Sequence, residues 1–124
     1  MELRWLWLLA LLSGSLACGN PTSVTQDQFT IQATGREVVL SNTAPQSTFY
    51  LVVERETADL INFATCVGQL QCRSVDPDSS VKIPYREISG YHAGSKEAVV
   101  YWWRAVQSPT GLRADSVRST VTEL

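Results

Sequence analysis

From residue 29 onward the chain alternates apolar and polar positions with a period of two. Phe29, Ile31 and Ala33 are separated by Thr30, Gln32 and Thr34, the pattern of a strand with one buried and one wet face. "REVVLS" follows a turn at Gly35, and "TFYLVVER" over residues 48–55 is rich in aromatic and β-branched residues, which suit a pleated, half-buried surface. "LINFAT", residues 60–65, reads as a further short strand, with a helical turn over 54–61 as the competing reading. "SVKIPYREI", residues 80–88, alternates and carries Pro84, which belongs at a sheet edge or a bulge. "AVVYWWRAV", residues 98–106, is the strongest strand signal, and "VRSTVTEL" closes the chain with another. Turn residues separate these runs at Gly35, Ala44-Pro45, Asp76-Pro77-Asp78, Gly90, Gly94 and residues 109–111. About seven short strands with regular turn signals predict a small all-β protein, an antiparallel β-sandwich over residues 28–124.

The first part of the chain follows another pattern. Met1-Glu2-Leu3-Arg4 carries one positive residue, "WLWLLALL" (residues 5–12) is wholly apolar, and small residues lead to Ala17-Cys18. This is the three-part order of an export signal, placed at residues 1–17. The run is shorter than the roughly 20 residues a helix needs to cross a bilayer, and no later stretch reaches that length. "GNPTSVTQ", residues 19–26, is polar and uncharged, and residues 18–27 read as a flexible tether.

Composition adds exclusions. The chain has 124 residues, 44% hydrophobic and 18% charged, which allows one domain with its own core. Its net charge of −2 and lack of a Lys/Arg cluster argue against a nucleic-acid partner, which calls for a basic face.

Ser15-Leu16-Ala17-Cys18 resembles the end of a bacterial lipoprotein signal peptide. The resemblance implies a diacylglycerol thioether on Cys18, cleavage before it and acylation of its amine. Two or three acyl chains anchor firmly where one does not, at about 0.8 kcal/mol per buried methylene. Gly19, rather than Asp, implies sorting to the outer membrane. Ser15 stands where that family prefers Leu, which leaves ordinary signal cleavage and a free or partner-bridged Cys18 thiol as the other reading.

The strand-rich part resembles a fibronectin type III domain, within the wider immunoglobulin-like class. The residues that carry the likeness are Leu40-Ser41-Asn42-Thr43-Ala44-Pro45, "YLVVER" (50–55), "VVYWWRAVQSPTG" (99–111) and "ADSVRSTVT" (114–122). Two positions depart from it. Asn42 stands where the family has a core Trp, and is costly inside unless hydrogen-bonded. Val99 stands where a corner Tyr is expected. Trp103 is the residue expected to fill the missing volume.

Cys66 and Cys72 enclose the short "VGQLQ". In an exported chain they are expected to pair as a structural clip. A metal site needs further ligands nearby, and a redox site usually has a tighter spacing.

Candidate chemistry is sparse. His92 is the sole histidine, and no Gly-x-Ser-x-Gly elbow accompanies it. Asp76-Pro77-Asp78-Ser79-Ser80 offers oxygens to Ca²⁺ but reads as turn material. Glu54 and Glu56 share a strand face and are expected to meet solvent. No catalytic residue, metal or cofactor is expected beyond the lipid on Cys18. Neighbouring strand residues point to opposite faces. Val99, Tyr101, Trp103 and Ala105 are assigned to the core face, which leaves Val100, Trp102 and Arg104 outside. Trp102, Arg104 and Tyr91 are therefore the candidate partner-binding surface, for an envelope protein or a glycan. The expectation is a non-enzymatic, lipid-anchored binding module of the cell envelope. The alternatives are an accessory subunit of an envelope enzyme or transport complex, a secreted unlipidated domain, or a small hydrolase using His92.

Overall fold

The computed structural model describes residues 23–69 and 71–124. The export signal, Cys18 and residues 19–22 lie outside them. Strands β1 (Ser23–Gln26), β2 (Phe29–Ala33), β3 (Glu37–Asn42) and β6 (Ser79–Pro84) form one antiparallel sheet in the order β1-β2-β3-β6. Strands β4 (Thr48–Glu54), β5 (Ser74–Val75), β7 (Glu97–Trp103) and β10 (Arg118–Glu123) form the second, in the order β10-β7-β4-β5. The two sheets pack face to face as a sandwich. Helix α1 (Arg55–Ala58) follows β4, and a 3-10 turn (Tyr85–Glu87) follows β6. Strands β8 (Ala105–Ser108) and β9 (Gly111–Ala114) make a separate hairpin.

The period-two pattern fixes the inner faces. Phe29, Ile31, Val38 and Leu40 point inward from the first sheet, and Val52, Ala98, Val100 and Trp102 from the second. Trp102 is fully buried, with its ring centroid 4.8 Å from that of Phe29. Asn42 is buried too, and both polar atoms of its amide are bonded. Its Nδ2 donates to the carbonyls of Gln46 and Val75, both at 2.9 Å, and its Oδ1 accepts from Ala44 N at 3.0 Å. A buried amide with three partners fixes the turn after β3 where an apolar residue would only fill space.

Three sequence expectations are corrected. Ser23–Gln26, assigned to the tether, form strand β1, which pairs along β2 from Ser23↔Gln32 to Gln26↔Phe29. Residues 60–65 form no strand, while the competing helical turn is present at Arg55–Ala58. The run over 98–106 breaks at Arg104. Pairing of Trp102 with Arg118 and of Ala105 with Ala114 sets Trp103 and Arg104 against Asp115, Ser116 and Val117. That extra residue is a bulge, which bends the β8–β9 hairpin away from the sheet. Arg104 N donates to Asp115 Oδ1 at 2.7 Å, and Asp115 N returns a bond to the Arg104 carbonyl at 2.8 Å.

Candidate functional site

Strand β7 is buried on both faces. Its inward residues Ala98, Val100 and Trp102 lie in the core, while Val99 and Trp103 are also almost wholly covered. What covers Trp103 is the segment between α1 and β5. Phe63 packs at 4.8 Å centroid distance on Tyr101 and 5.9 Å on Trp103. The Cys66–Cys72 disulfide closes this segment, and the Trp103 Nε1–H donates to the Cys66 carbonyl at 3.0 Å. The clip thus holds one specific carbonyl over one specific indole.

Between this segment and β4 lies an apolar recess of about 230 Å³, walled by Leu51, Phe63, Trp103 and the disulfide, with Tyr50 and Arg73 at its rim. Tyr50 is held above the usual phenol range by burial; the Arg73 guanidinium opposes the shift and Glu87 adds to it. Comparisons with protein-family models, with curated proteins and with solved structures found no match. The geometry of the site therefore carries the functional reading.

The surface expected at Trp102, Arg104 and Tyr91 does not exist as a surface. The face assignment of β7 is inverted: Trp102 points into the core and Trp103 outward, under the disulfide loop. Arg104 is buried beside Trp102, its Nε donating to Thr48 Oγ1 at 2.9 Å and its NH2 to the Asp27 carbonyl at 2.6 Å. Arg118 bonds Asp27 at 3.1 Å and Asp115 at 3.2 Å. The Arg118 and Arg104 guanidinium carbons lie 4.7 and 5.5 Å from the Trp102 ring centroid, so two cations close this end of the core against its aromatic ring. Burial pulls Arg104 below its ordinary pKa, with Arg118 acting in the same direction and Asp115 and Asp27 opposing. Among the described residues none bonds the buried Trp102 Nε1–H. Tyr91 is half-buried against Tyr85, at 5.9 Å. The Tyr85 hydroxyl accepts from Gly35 N in the β2–β3 turn, so Tyr91 sits by the far end of β2 from Phe29 and Trp102.

Glu54, expected in solvent, is buried and caps α1. Its carboxylate accepts from Thr57 N at 2.8 Å, Glu56 N at 3.0 Å and Thr57 Oγ1 at 3.0 Å. These bonds hold its pKa below the ordinary carboxylate value, with His92 contributing and burial opposing. Glu54, Glu56 and His92 bring ligand atoms within 4.8 Å of one another. Their bonding does not suit a metal. Glu54 is committed to the cap, and His92 Nδ1 accepts from Gly94 N at 3.2 Å, which leaves the proton on Nε2, facing Glu56 Oε1 at 4.0 Å. The Asp76-Pro77-Asp78 segment is a turn, with Asp78 at φ +56° and Ser47 Oγ donating to Asp76.

The aromatic recess is the residue set that sequence reading missed. Its only signal was the uninterrupted apolar run "AVVYWW". In such a run both strand faces are buried, so something must cover the outer one.

Proposed function

We propose that this protein is a lipid-anchored binding module of the cell envelope, and that its partner docks at the recess between β4 and the disulfide-clipped segment. The observation that carries this reading is the recess itself: an apolar, aromatic-walled concavity beside an exposed Arg73 on a rigid sheet. A few polar groups around an apolar hollow are what a binding site needs for orientation and affinity. The anchor is supported by Ser15-Leu16-Ala17-Cys18 after the apolar run. The fibronectin type III resemblance is supported by two antiparallel sheets whose chain crosses between them after β3, β5 and β6.

The partner is a polypeptide rather than a glycan. Among the described residues neither indole offers an open face for stacking on sugar, since Trp102 and Trp103 are 0% and 3% exposed. Two measurements test the proposal. Intact mass of the membrane-extracted chain should show a start at Cys18 with added acyl mass. A photo-crosslinker at Arg73 should trap a discrete envelope protein, while one at Lys82 on the other sheet traps none. A mass without acyl chains overturns the anchor, and equal trapping from both positions overturns the recess.

A further inference from the structure

Strand β1 reads SVTQ, with no charge and no proline, and all four of its residues are exposed. The other three sheet edges are guarded. β5 is two residues long, β6 carries Lys82 and Pro84, and β10 carries Arg118 and Glu123. Short strands, charges and proline are the devices that keep an edge from pairing with another chain. β10 also faces β2 across the sandwich, so β1 overhangs it.

Thr34 N donates to the Glu37 carbonyl at 3.0 Å and Thr43 N to the Gln28 carbonyl at 2.9 Å, so the even residues along β2 bond toward β3. The odd ones, Phe29 and Ile31, bond toward their partners Gln26 and Val24 in β1. The N–H and C=O of Ser23 and Thr25 therefore point away from β2. Among the described residues no strand pairs with that side of β1. Arg104 takes the Asp27 carbonyl at 2.6 Å, which ends the open stretch. Val24 stands in one row with Ile31 and Leu40, both buried, yet it is 37% exposed. It is an inward-facing valine that the second sheet does not cover. On the outer face Thr25 heads a row of hydroxyls, in which Thr25 bonds Thr30 at 2.9 Å and Ser41 bonds Ser80 at 2.8 Å.

We infer that β1 is a self-association edge, which pairs antiparallel with β1 of a second copy of this chain about a two-fold axis at Val24. In that register Thr25 meets the partner's Ser23 and Ser23 meets the partner's Thr25, each pair exchanging two main-chain bonds. Val24 meets the partner's Val24, so each covers the apolar surface the other leaves open. The partner's Ser23 extends the hydroxyl row, and β-branched and hydroxyl pairs of this kind are favourable across strands. No charge meets a like charge along β1. The two four-stranded sheets join into one. A stable interface in free solution takes roughly 20–30 residues a side, and β1 offers four. The copies therefore pair while held in one membrane, where tethering raises their effective concentration; to that extent the inference rests on the Cys18 anchor proposed above. Because the axis is normal to the sheet, both aromatic recesses open to the same side, as two-point capture of a partner requires.

The test uses the membrane-extracted full chain, reconstituted in phosphatidylcholine vesicles and oxidised with copper phenanthroline. Val24→Cys should join into a product of twice the chain mass at least about tenfold faster than Gln26→Cys, whose two copies lie roughly 13 Å apart along the strands in this register, beyond disulfide reach. Thr25→Pro, which deletes an N–H that β2 does not use, should slow the Val24→Cys reaction about tenfold while leaving the melting temperature unchanged. In the parent chain the Ser23 and Thr25 amides should exchange with deuterium about tenfold more slowly in vesicles than in dilute detergent, with Val24 unchanged; this comparison decides if Thr25→Pro melts early. Equal rates at positions 24 and 26, a folded Thr25→Pro chain that still cross-links, unprotected Ser23 and Thr25 amides, or a Val24→Cys adduct with a different protein in whole envelopes would each overturn the inference. Failure of the anchor reads differently: the parent chain would itself cross-link through an unacylated Cys18, and exchange at Ser23 and Thr25 in concentrated detergent solution would still judge the pairing.

Discussion

Trp103 donates its indole N–H to the carbonyl of Cys66, 3.0 Å away, so the half-cystine that closes the 66–72 loop also fastens that loop to the centre of the second sheet. The disulfide, the loop and the recess are therefore one mechanical unit.

Removing the clip should loosen this unit before it unfolds the sandwich. Cys66→Ser/Cys72→Ser should cost about 2 kcal/mol, the loop-closure value for so short a ring. Tryptophan emission should shift to the red as Trp103 loses its cover. Urea titration followed by fluorescence checks both effects, and an unshifted emission would show that Phe63 alone keeps the loop in place.

Trp102→Ala should be a folding mutation rather than a surface one. Its ring is fully buried against Phe29 beneath two guanidinium groups. The loss is about 3–5 kcal/mol, typical of truncating a large core aromatic. Trp102→Phe should recover much of it, because it keeps an aromatic ring against Phe29 and deletes the buried Nε1–H, which has no partner among the described residues. Thermal denaturation of both variants distinguishes this from a surface role, in which neither melts early.

Asn42→Leu should destabilise although it makes the core more apolar. It leaves the buried Ala44 N without its acceptor and removes the Nδ2 donor from the Val75 carbonyl, which keeps only its ladder bond, at about 1–3 kcal/mol. Asn42→Asp should also destabilise, since it keeps the acceptor for Ala44 N and loses both donated bonds. Chemical denaturation orders the two, and a Leu variant as stable as the parent would mean the turn after β3 rearranges freely.

Acid should unfasten α1 through Glu54. Its folded carboxyl titrates below the ordinary value of 4.5, so in acid the unfolded chain binds more protons than the folded one. The stabilisation is complete above the ordinary value and is lost as pH falls through the folded one. Glu54→Gln should flatten the acid limb of the stability curve below the ordinary carboxylate value of 4.5 while leaving its neutral slope unchanged. Denaturant midpoints across that range give the answer directly.

Much of the sandwich is legible in the chain. Alternation at Phe29-Ile31-Ala33 and in residues 48–54, with turns at Gly35 and at Asp76-Pro77-Asp78, marks strands and corners, because a period of two has only one local solution. The Cys66–Cys72 pairing, expected from the short loop in a chain with an export signal, is present. The faces of β7 were not legible. In "AVVYWW" every position is apolar, so neither parity is favoured by composition. Only the strands on either side, which set Trp102 beside Tyr50 and Arg118, decide which ring enters the core.

The cap at Glu54 and the bulge opposite Arg104 belong to the same class. Each depends on which backbone groups another part of the chain has already satisfied. By itself the sequence determined an all-β sandwich, its turns and its clip, since these rest on local periodicity and short loop closure. Tertiary structure alone decided which tryptophan is covered by what, and where the recess lies. Those outcomes rest on pairings between residues tens of positions apart, which local pattern does not encode.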